Sequence, residues 1–505
     1  MNESLIGIDV GTTGLKVSLI STSGEKLGYS YRENRLQYTN EGCVVINPNV
    51  WWENLLSCLQ EIAAQYPMSG VGGIGISCAN ALILADEDKR PLFPAIMQLD
   101  ERGESMVPKI TKEVGVKRIF EITGNRIASG FFWGPTLKWL AENERKSFLK
   151  VHYVFNPASY LVMKLTGTYC MDHTRATTTM LYDIFKGRWD EILCRYFEIP
   201  FENMPQLLGS HEIAGKTKAV ASFALPAGIP VAPGIMDSIS AQVGLAPGRT
   251  ENALIMGSVG RFCVFTQKID ARFMNCVTYD RSKKVSVTPV SSCGIALQWV
   301  RNILFANSPL QENVYEHMNE IAEQVPLGSD GLLFFPYLKG CTCPKWNKNI
   351  RGSFLGLGIQ HHPGHFVRAV MEGVGFSLGE NLRILEQQNG ANVDKLYLGG
   401  GGARNKVWAQ IMSDILGKEL IIPIELETET IGAAILAGIG VGIIDKANNL
   451  EEKWNIPLHH ILPDQKRHEH YKKLLDAYSD LYGTLLQQKK IIDGIGQESG
   501  QRSDD

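Results

Sequence analysis

An aspartate at the end of an apolar strand, followed at once by glycines and threonines, is suited to holding a polyphosphate. That combination stands at Gly7-Ile8-Asp9-Val10-Gly11-Thr12-Thr13-Gly14-Leu15-Lys16. Gly11 lets backbone N–H groups approach phosphate oxygens, and the hydroxyls of Thr12 and Thr13 add donors. Asp9 can hold Mg²⁺ through water, because that ion keeps much of its hydration shell. A plain hairpin with a threonine-rich turn leaves an aspartate between strand residues unexplained. Lys16 reads equally well as a phosphate ligand or as a solvated strand lysine.

A second carboxylate closes Pro233-Gly234-Ile235-Met236-Asp237-Ser238, where a glycine-bearing bend presents one aspartate. Phosphoryl transfer asks a protein for alignment, charge neutralisation and a group to take the hydroxyl proton. With an ordinary pKa near ~4 an aspartate is ionised at neutral pH and ready to accept. The alternative for Asp237 is a helix N-cap. Two further segments fit the same chemistry. Ile255-Met256-Gly257-Ser258-Val259-Gly260 repeats the strand, glycine and hydroxyl turn. Leu398-Gly399-Gly400-Gly401-Gly402-Ala403-Arg404-Asn405 runs a strand into bare backbone, against which a planar ring or a phosphate can lie.

Together, these segments resemble the FGGY carbohydrate kinases, relatives of hexokinase and actin. The DxGTT turn resembles that family's first phosphate motif. The segment through Asn405 to Trp408 resembles its adenosine-binding GGGA-x-N-x-x-W motif. Gly352-Ser353-Phe354-Leu355-Gly356-Leu357, His365-Phe366 and Glu372-Gly373 follow the spacing of its C-terminal signature. The resemblance runs from Leu5 to Asp445. It implies ATP and Mg²⁺ as cofactors, Asp237 as catalytic base and Asp9 at the metal. Gly11, Thr12, Thr13, Lys16, Gly257, Ser258, Gly400, Gly401 and Asn405 would then contact the nucleotide. One departure concerns the phosphates: the family's Gly-Thr-Ser or Gly-Thr-Thr is here Gly257-Ser258-Val259, one hydroxyl fewer.

Substrate choice departs further. Xylulokinase-like members carry a Gly-x-Ser-Gly-Gln-Met-His type loop, whereas this chain reads Gly75-Ile76-Ser77-Cys78-Ala79-Asn80-Ala81. Their Trp-x-Asp-x-Arg segment is Gln98-Leu99-Asp100-Glu101-Arg102, and the asparagine after their catalytic aspartate is Ser238. The candidate sugar contacts are Ser77, Asn80, Asp100, Arg102, Trp133, Asp237 and Ser238, with Trp133 either a shelf for a sugar face or a core residue. Polar groups left unpaired by the wrong epimer discriminate strongly, so these exchanges point to a sugar or polyol other than D-xylulose.

The elements that must position these groups are legible in outline. Leu5 to Ile8 and Leu15 to Ile20 read as paired strands, with a third near Lys26 to Tyr31. Trp51, Leu55, Leu59 and Ile62 recur at helical spacing, predicting a helix from Val50 to Gln65. Strands follow at Val71 to Ser77 and Leu82 to Ala85, and residues 108–196 are mostly helical in pattern. The hairpin theme returns at Ala253 to Thr266. A helix is expected from Gly364 to Gln388, a strand at Lys395 to Leu398, and a helix from Asn405 to Leu416. The expected fold is α/β: two ribonuclease-H-like domains of the actin/hexokinase type with a nucleotide cleft between them. Their expected bounds are 1–244 and 245–488, with a polar tail over 489–505.

Composition narrows the partners. The chain has 505 residues, 44% hydrophobic and 20% charged, with formal net charge −3. No basic field exists to hold nucleic acid or an anionic membrane, so the expected partner is a small sugar or polyol. The apolar run from Ile431 to Ile444 falls short of the ~18 residues a spanning helix needs. The first residues lack a secretory pattern, which predicts a cytoplasmic protein with its ten cysteines reduced. A homodimer is left open as an assembly. Cys341-Thr342-Cys343 and the histidines 361, 362 and 365 lack a second ligand cluster for zinc. A non-catalytic or chaperone-like ATPase on the same fold is the rival reading, and it would have no use for Asp237 or a sugar-sized pocket. Among kinases, an aldonate or a polyol such as gluconate, erythritol or glycerol is the alternative acceptor.

Overall fold

Alternation along the opening strand, Ser4–Val10, sorts its side chains onto two covered faces. Ile6, Ile8 and Val10 enter an apolar cluster with Trp51, Leu55 and Leu59 of the helix Asn49–Ala63. Gly7 faces the other way, where the helix Thr428–Gly440 lies so close that a Cβ would stand 1.8 Å from the Thr430 carbonyl oxygen. Gly75 on the neighbouring strand meets the same helix at Ala433, again at 1.8 Å. Two bare backbones thus let a helix rest directly on the sheet, and Asp9 shares the face it covers.

The computed structural model describes residues 4–39, 42–219, 224–247, 251–306, 313–423, 427–445 and 450–500. The chain forms two units. The first comprises Met1–Glu251, Ile269–Ser286 and Ile424–Pro457, and the second Asn252–Lys268, Val287–Pro423 and Leu458–Asp505. The third segment, Ile424–Pro457, joins the first unit because its helix Thr428–Gly440 covers the first sheet.

In the first unit the sheet runs in the order Gly215–Lys216, Pro230–Val231, Val71–Cys78, Ser4–Val10, Gly14–Ser21, Lys26–Glu33. Ser4–Val10 pairs antiparallel with Gly14–Ser21 and parallel with Val71–Cys78. The short strand Ile235–Met236 also lies parallel to Val71–Cys78. A second cluster is built from the middle of the chain, including Leu82, Ile119, Phe132, Trp133, Leu137 and Phe197. Its elements include the helices Val116–Thr123 and Trp133–Asn143, while the helix Pro157–Thr166 packs into the first cluster and the short strands Tyr153–Phe155 and Cys170–Asp172 contribute to both.

The second unit repeats the plan. Ala253–Met256 pairs antiparallel with Gly260–Phe265 and parallel with Lys395–Gly399, which in turn lies parallel to Glu419–Pro423. The helix Pro363–Asn389 is buried along most of its length and accepts the Trp408 indole N–H at the Met371 carbonyl (3.1 Å). Helical residues continue from Gln465 to Gly500, through most of the stretch expected as a tail, and residues 501–505 lie outside those described. Among the described residues, no helix is long and apolar enough to cross a membrane.

Candidate active site

In open sheets with parallel strands, ligands gather beyond the carboxyl ends of the strands. In the first unit three such ends lie side by side. Asp9 is opposite Ser77 in the parallel register, and Ile235 and Met236 are opposite Ser77 and Cys78. The next residue, Asp237, opens the helix Asp237–Leu245, whose N-cap is Met236. The sequence alternative of Asp237 as N-cap is therefore off by one residue, and its carboxylate sits in the first turn, where the helix dipole favours an anion.

Asp9 is buried and accepts the Ser77 hydroxyl at 2.8 Å. Burial, then repulsion from Glu429 and Asp237, pushes its carboxyl up to about 7, against the pull of Lys16 and the Ser77 bond. Lys16 lies across the hairpin from Asp9 and pairs with Glu427 at 3.2 Å. Burial alone would lower the Lys16 ammonium, but Asp9, Glu427 and Glu429 hold it above the usual lysine range. Neither Glu427 nor Glu429 was singled out from sequence. The small residues of the helix they lead into, Gly432, Ala433, Ala434 and Ala437, were the available sign of a close-packed element.

The first turn is pinned from several sides. Gly11 N–H donates to the Gly14 carbonyl (2.9 Å), and the Asn34 side-chain amide donates to the Gly11 carbonyl (2.9 Å). The Gln98 amide donates to the Thr12 hydroxyl (3.3 Å), so the residue that replaces the family's aromatic touches the phosphate turn itself. Asn34, buried and three residues past its strand's useful pattern, was not legible beforehand.

Asp237 receives the Ser238 N–H at 2.8 Å and the Ser238 hydroxyl at 3.3 Å, both on Oδ1. The buried Arg175 guanidinium reaches the same oxygen at 3.4 Å. Arg175 sits on the short helix His173–Ala176, capped by Asp172, whose carboxylate takes the Thr174 and Arg175 N–H groups at 2.9 and 3.1 Å. Burial raises the Asp172 carboxyl to about 6, opposed by the Thr174 hydroxyl and by Arg175. The Thr174 hydroxyl in turn accepts the Met236 N–H at 2.8 Å, tying this helix to the residue before Asp237.

Other expected sugar contacts have hydrogen-bond partners within the protein. Asp100 is buried and spends its carboxylate on the Val44 N–H (2.7 Å) and on Arg102 (2.8 and 2.9 Å). Trp133 is a core residue, not an open shelf: it packs in the second cluster and its indole N–H donates to Asn80 (3.0 Å). Asn80 also donates to the Phe131 carbonyl (2.9 Å), so this pair shapes the loop from within. Ser77 is fully buried and acts on Asp9.

In the second unit, the two predicted turns come together at the ends of adjacent parallel strands. Gly400 has φ 85°, and a Cβ there would stand 2.7 Å from the Met256 carbonyl oxygen, just before Gly257. Gly401 has open space where a side chain would begin. The turn at Gly257 and Ser258 is stapled to the helix Gly294–Leu304: the Gly294 and Cys293 N–H groups donate to the carbonyls of Gly257 (2.9 Å) and Ser258 (3.2 Å). Asn405 caps the helix Lys406–Leu416 through the Trp408 N–H and donates to Asn319 at 2.7 Å.

Residues 4–244 match the FGGY family of carbohydrate kinases, N-terminal domain, and residues 281–441 match its C-terminal domain. The chain belongs to the FGGY family of carbohydrate kinases. It is 30% identical over 493 residues to a xylulose kinase of Lactococcus lactis, covering 95% of this chain and 96% of that one. A gluconokinase of Bacillus subtilis is 28% identical over 510 residues, covering 97% of each. Among solved structures, the xylulose kinase of Rhodospirillum rubrum superposes with a TM-score of 0.88 at 26% identity, over 96% of this chain and 100% of that one. The protein is thus a carbohydrate kinase with the two-domain α/β fold expected, and kinases of this family take phosphate from ATP. The rival reading as a chaperone-like ATPase falls with that match.

Among the described residues, no three His, Cys, Asp or Glu side chains gather into a metal cage. One buried carboxylate destabilised by like charges, as Asp9 is, fits Mg²⁺, which is held by one or two carboxylates with water and substrate phosphates completing its shell.

Proposed function

We propose that this kinase transfers the γ-phosphoryl group of ATP to a primary hydroxyl of a small sugar or polyol, with Asp237 taking the hydroxyl proton. The acceptor oxygen forms a bond to the γ-phosphorus as the bond to the β-phosphate oxygen breaks, and ADP leaves. What carries the reading is the placement of Asp9 and Asp237 at the ends of two strands that flank Val71–Cys78, one beside a phosphate-type turn and the other held through Oδ1. Gly11, Thr12 and Thr13, with Gly257 and Ser258, contact the phosphates, and Gly400 and Gly401 lie under adenosine. Mg²⁺, when bound near Asp9, neutralises charge on the β- and γ-phosphates. Ser77 holds Asp9 for that task, and Lys16 balances the acidic residues around it.

The acceptor class follows from relatives named for both xylulose and gluconate, and from a loop that departs from the xylulokinase pattern at Cys78, Asn80 and Gln98. ADP release with MgATP should be compared across D-xylulose, other ketopentoses, ketohexoses, D-gluconate, tetritols and glycerol. At least one acceptor is expected to accelerate release tenfold or more above the acceptor-free rate, as expected of phosphoryl transfer to a positioned hydroxyl. A flat panel overturns the proposed acceptor class.

A further inference from the structure

A charged guanidinium buried in a protein costs several kcal/mol unless carboxylates and carbonyls compensate it. Arg175 is 1% exposed and lies on the four-residue helix His173–Ala176. Its Nη2 donates to the Cys78 carbonyl, at the end of the strand beside Asp9, and lies 3.4 Å from Asp237 Oδ1. Its Nε has no hydrogen-bond partner. A folding role alone would be better served by an apolar side chain of similar volume, so a buried, incompletely paired arginine calls for a functional account.

The geometry supplies one. The Cys78 carbonyl fixes where the guanidinium points, and the backbone around it is fixed by Asp172 and by the Thr174 bond to Met236. The charge is therefore set before Asp237 is. At 3.4 Å the contact with Oδ1 is long for a hydrogen bond, so its main action is Coulombic, exerted by a guanidinium that is itself buried. Asp237 itself is partly open, with 26% of its side chain exposed. Ser238 donates to the same Oδ1 through its N–H and hydroxyl, Arg175 adds a buried cation there, and nearby Asp9 repels the carboxylate. We propose that Arg175 is a positioning residue: it holds the Asp237 carboxylate in one orientation, so that the acceptor hydroxyl meets a fixed proton acceptor. Lysine is expected to keep this action in part, because the charge and not the planar fork carries it. The inference rests on the reading of Asp237 as base.

The full chain is compared with Arg175→Met, Arg175→Lys and Asp237→Asn. Turnover is read as ADP release with the acceptor that gives the fastest release in the panel above and, without sugar, as hydrolysis to water; melting temperature reports folding. Arg175→Met should lower kcat about 10²-fold, the scale of a misplaced reacting group, with KM for ATP within twofold. Arg175→Lys should recover at least tenfold of that loss. Turnover by Arg175→Met within threefold of the parent overturns the proposal, as does a lysine variant that melts normally yet is as impaired as the methionine variant. Should the methionine variant fail to fold, the lysine variant decides alone: kcat within tenfold of the parent supports the proposal, and a larger loss at normal melting temperature overturns it. Asp237→Asn separates the two readings. If it retains full turnover, the base assignment and the positioning role fall together; if it is inactive while Arg175→Met turns over within threefold of the parent, the positioning role alone falls.

Discussion

His173 shows how a single buried group can report on this site. Burial, then the Arg281 cation, lowers its imidazole to about 4 from the usual 6.5. Arg281 donates toward Nε2 at 3.3 Å, so Nδ1 carries the proton and donates to the Tyr182 hydroxyl at 2.8 Å. The folded state therefore holds fewer protons on His173 than the unfolded chain does between those two values. Stability from this residue is intact above about 6.5 and lost as pH falls toward about 4. The melting temperature of His173→Gln, measured against the parent from pH 7.5 to pH 4.5, should fall less steeply with acid; parallel curves would contradict the account. At this scale the sequence made Asp9 and Asp237 legible, because a carboxylate following a buried strand or a glycine bend has few structural reasons to be there. Arg175, Asn34 and Glu429 were not legible. Each acts on a residue far along the chain, and no local pattern records such a partner.

Elements were easier to read than the contacts that join them. The helix expected from Val50 to Gln65 is Asn49–Ala63, and Ala253–Met256 is found as read, because periods of 3.6 and 2 are local properties. The run from Ile431 was weighed only against a membrane span, yet it belongs to the helix that seats on the first sheet. Its apolar faces all meet protein, so it shows no amphipathic stripe. The glycines beneath it give the test at this scale. Gly7→Ala and Gly75→Ala would each drive a methyl group to within 1.8 Å of a backbone carbonyl oxygen. Each should cost about 3 kcal/mol or more, since backbone cannot move aside as a side chain does. Gly483→Ala is the control: it lies in the helix Gln465–Gly500 with nothing near its Cβ position, and should be neutral or stabilising by up to about 1 kcal/mol. Denaturant midpoints decide the matter, and an unchanged midpoint for Gly7→Ala would contradict the close approach.

For the whole molecule, the order of motifs along the chain indicated the two-domain kinase fold, since each unit turns a hairpin into a parallel neighbour strand. Sequence order did not reveal that residues 424–457 complete the first unit, because a packing partner leaves no mark at the place it returns to. The acceptor is the other unread feature. Asn80, Asp100, Arg102 and Trp133 were candidate sugar contacts, Trp133 with a core role as its alternative, and in the fold Trp133 donates to Asn80 and Arg102 to Asp100. The most direct measurement is a single-turnover assay of Asp237→Asn with radiolabelled ATP and the best acceptor, alongside calorimetric titration with ATP. Loss of at least 10³-fold in sugar-phosphate formation, with ATP affinity unchanged within threefold, is the predicted result, since removing the proton acceptor leaves binding intact. Sugar phosphate formed at the parent rate would contradict the role of Asp237.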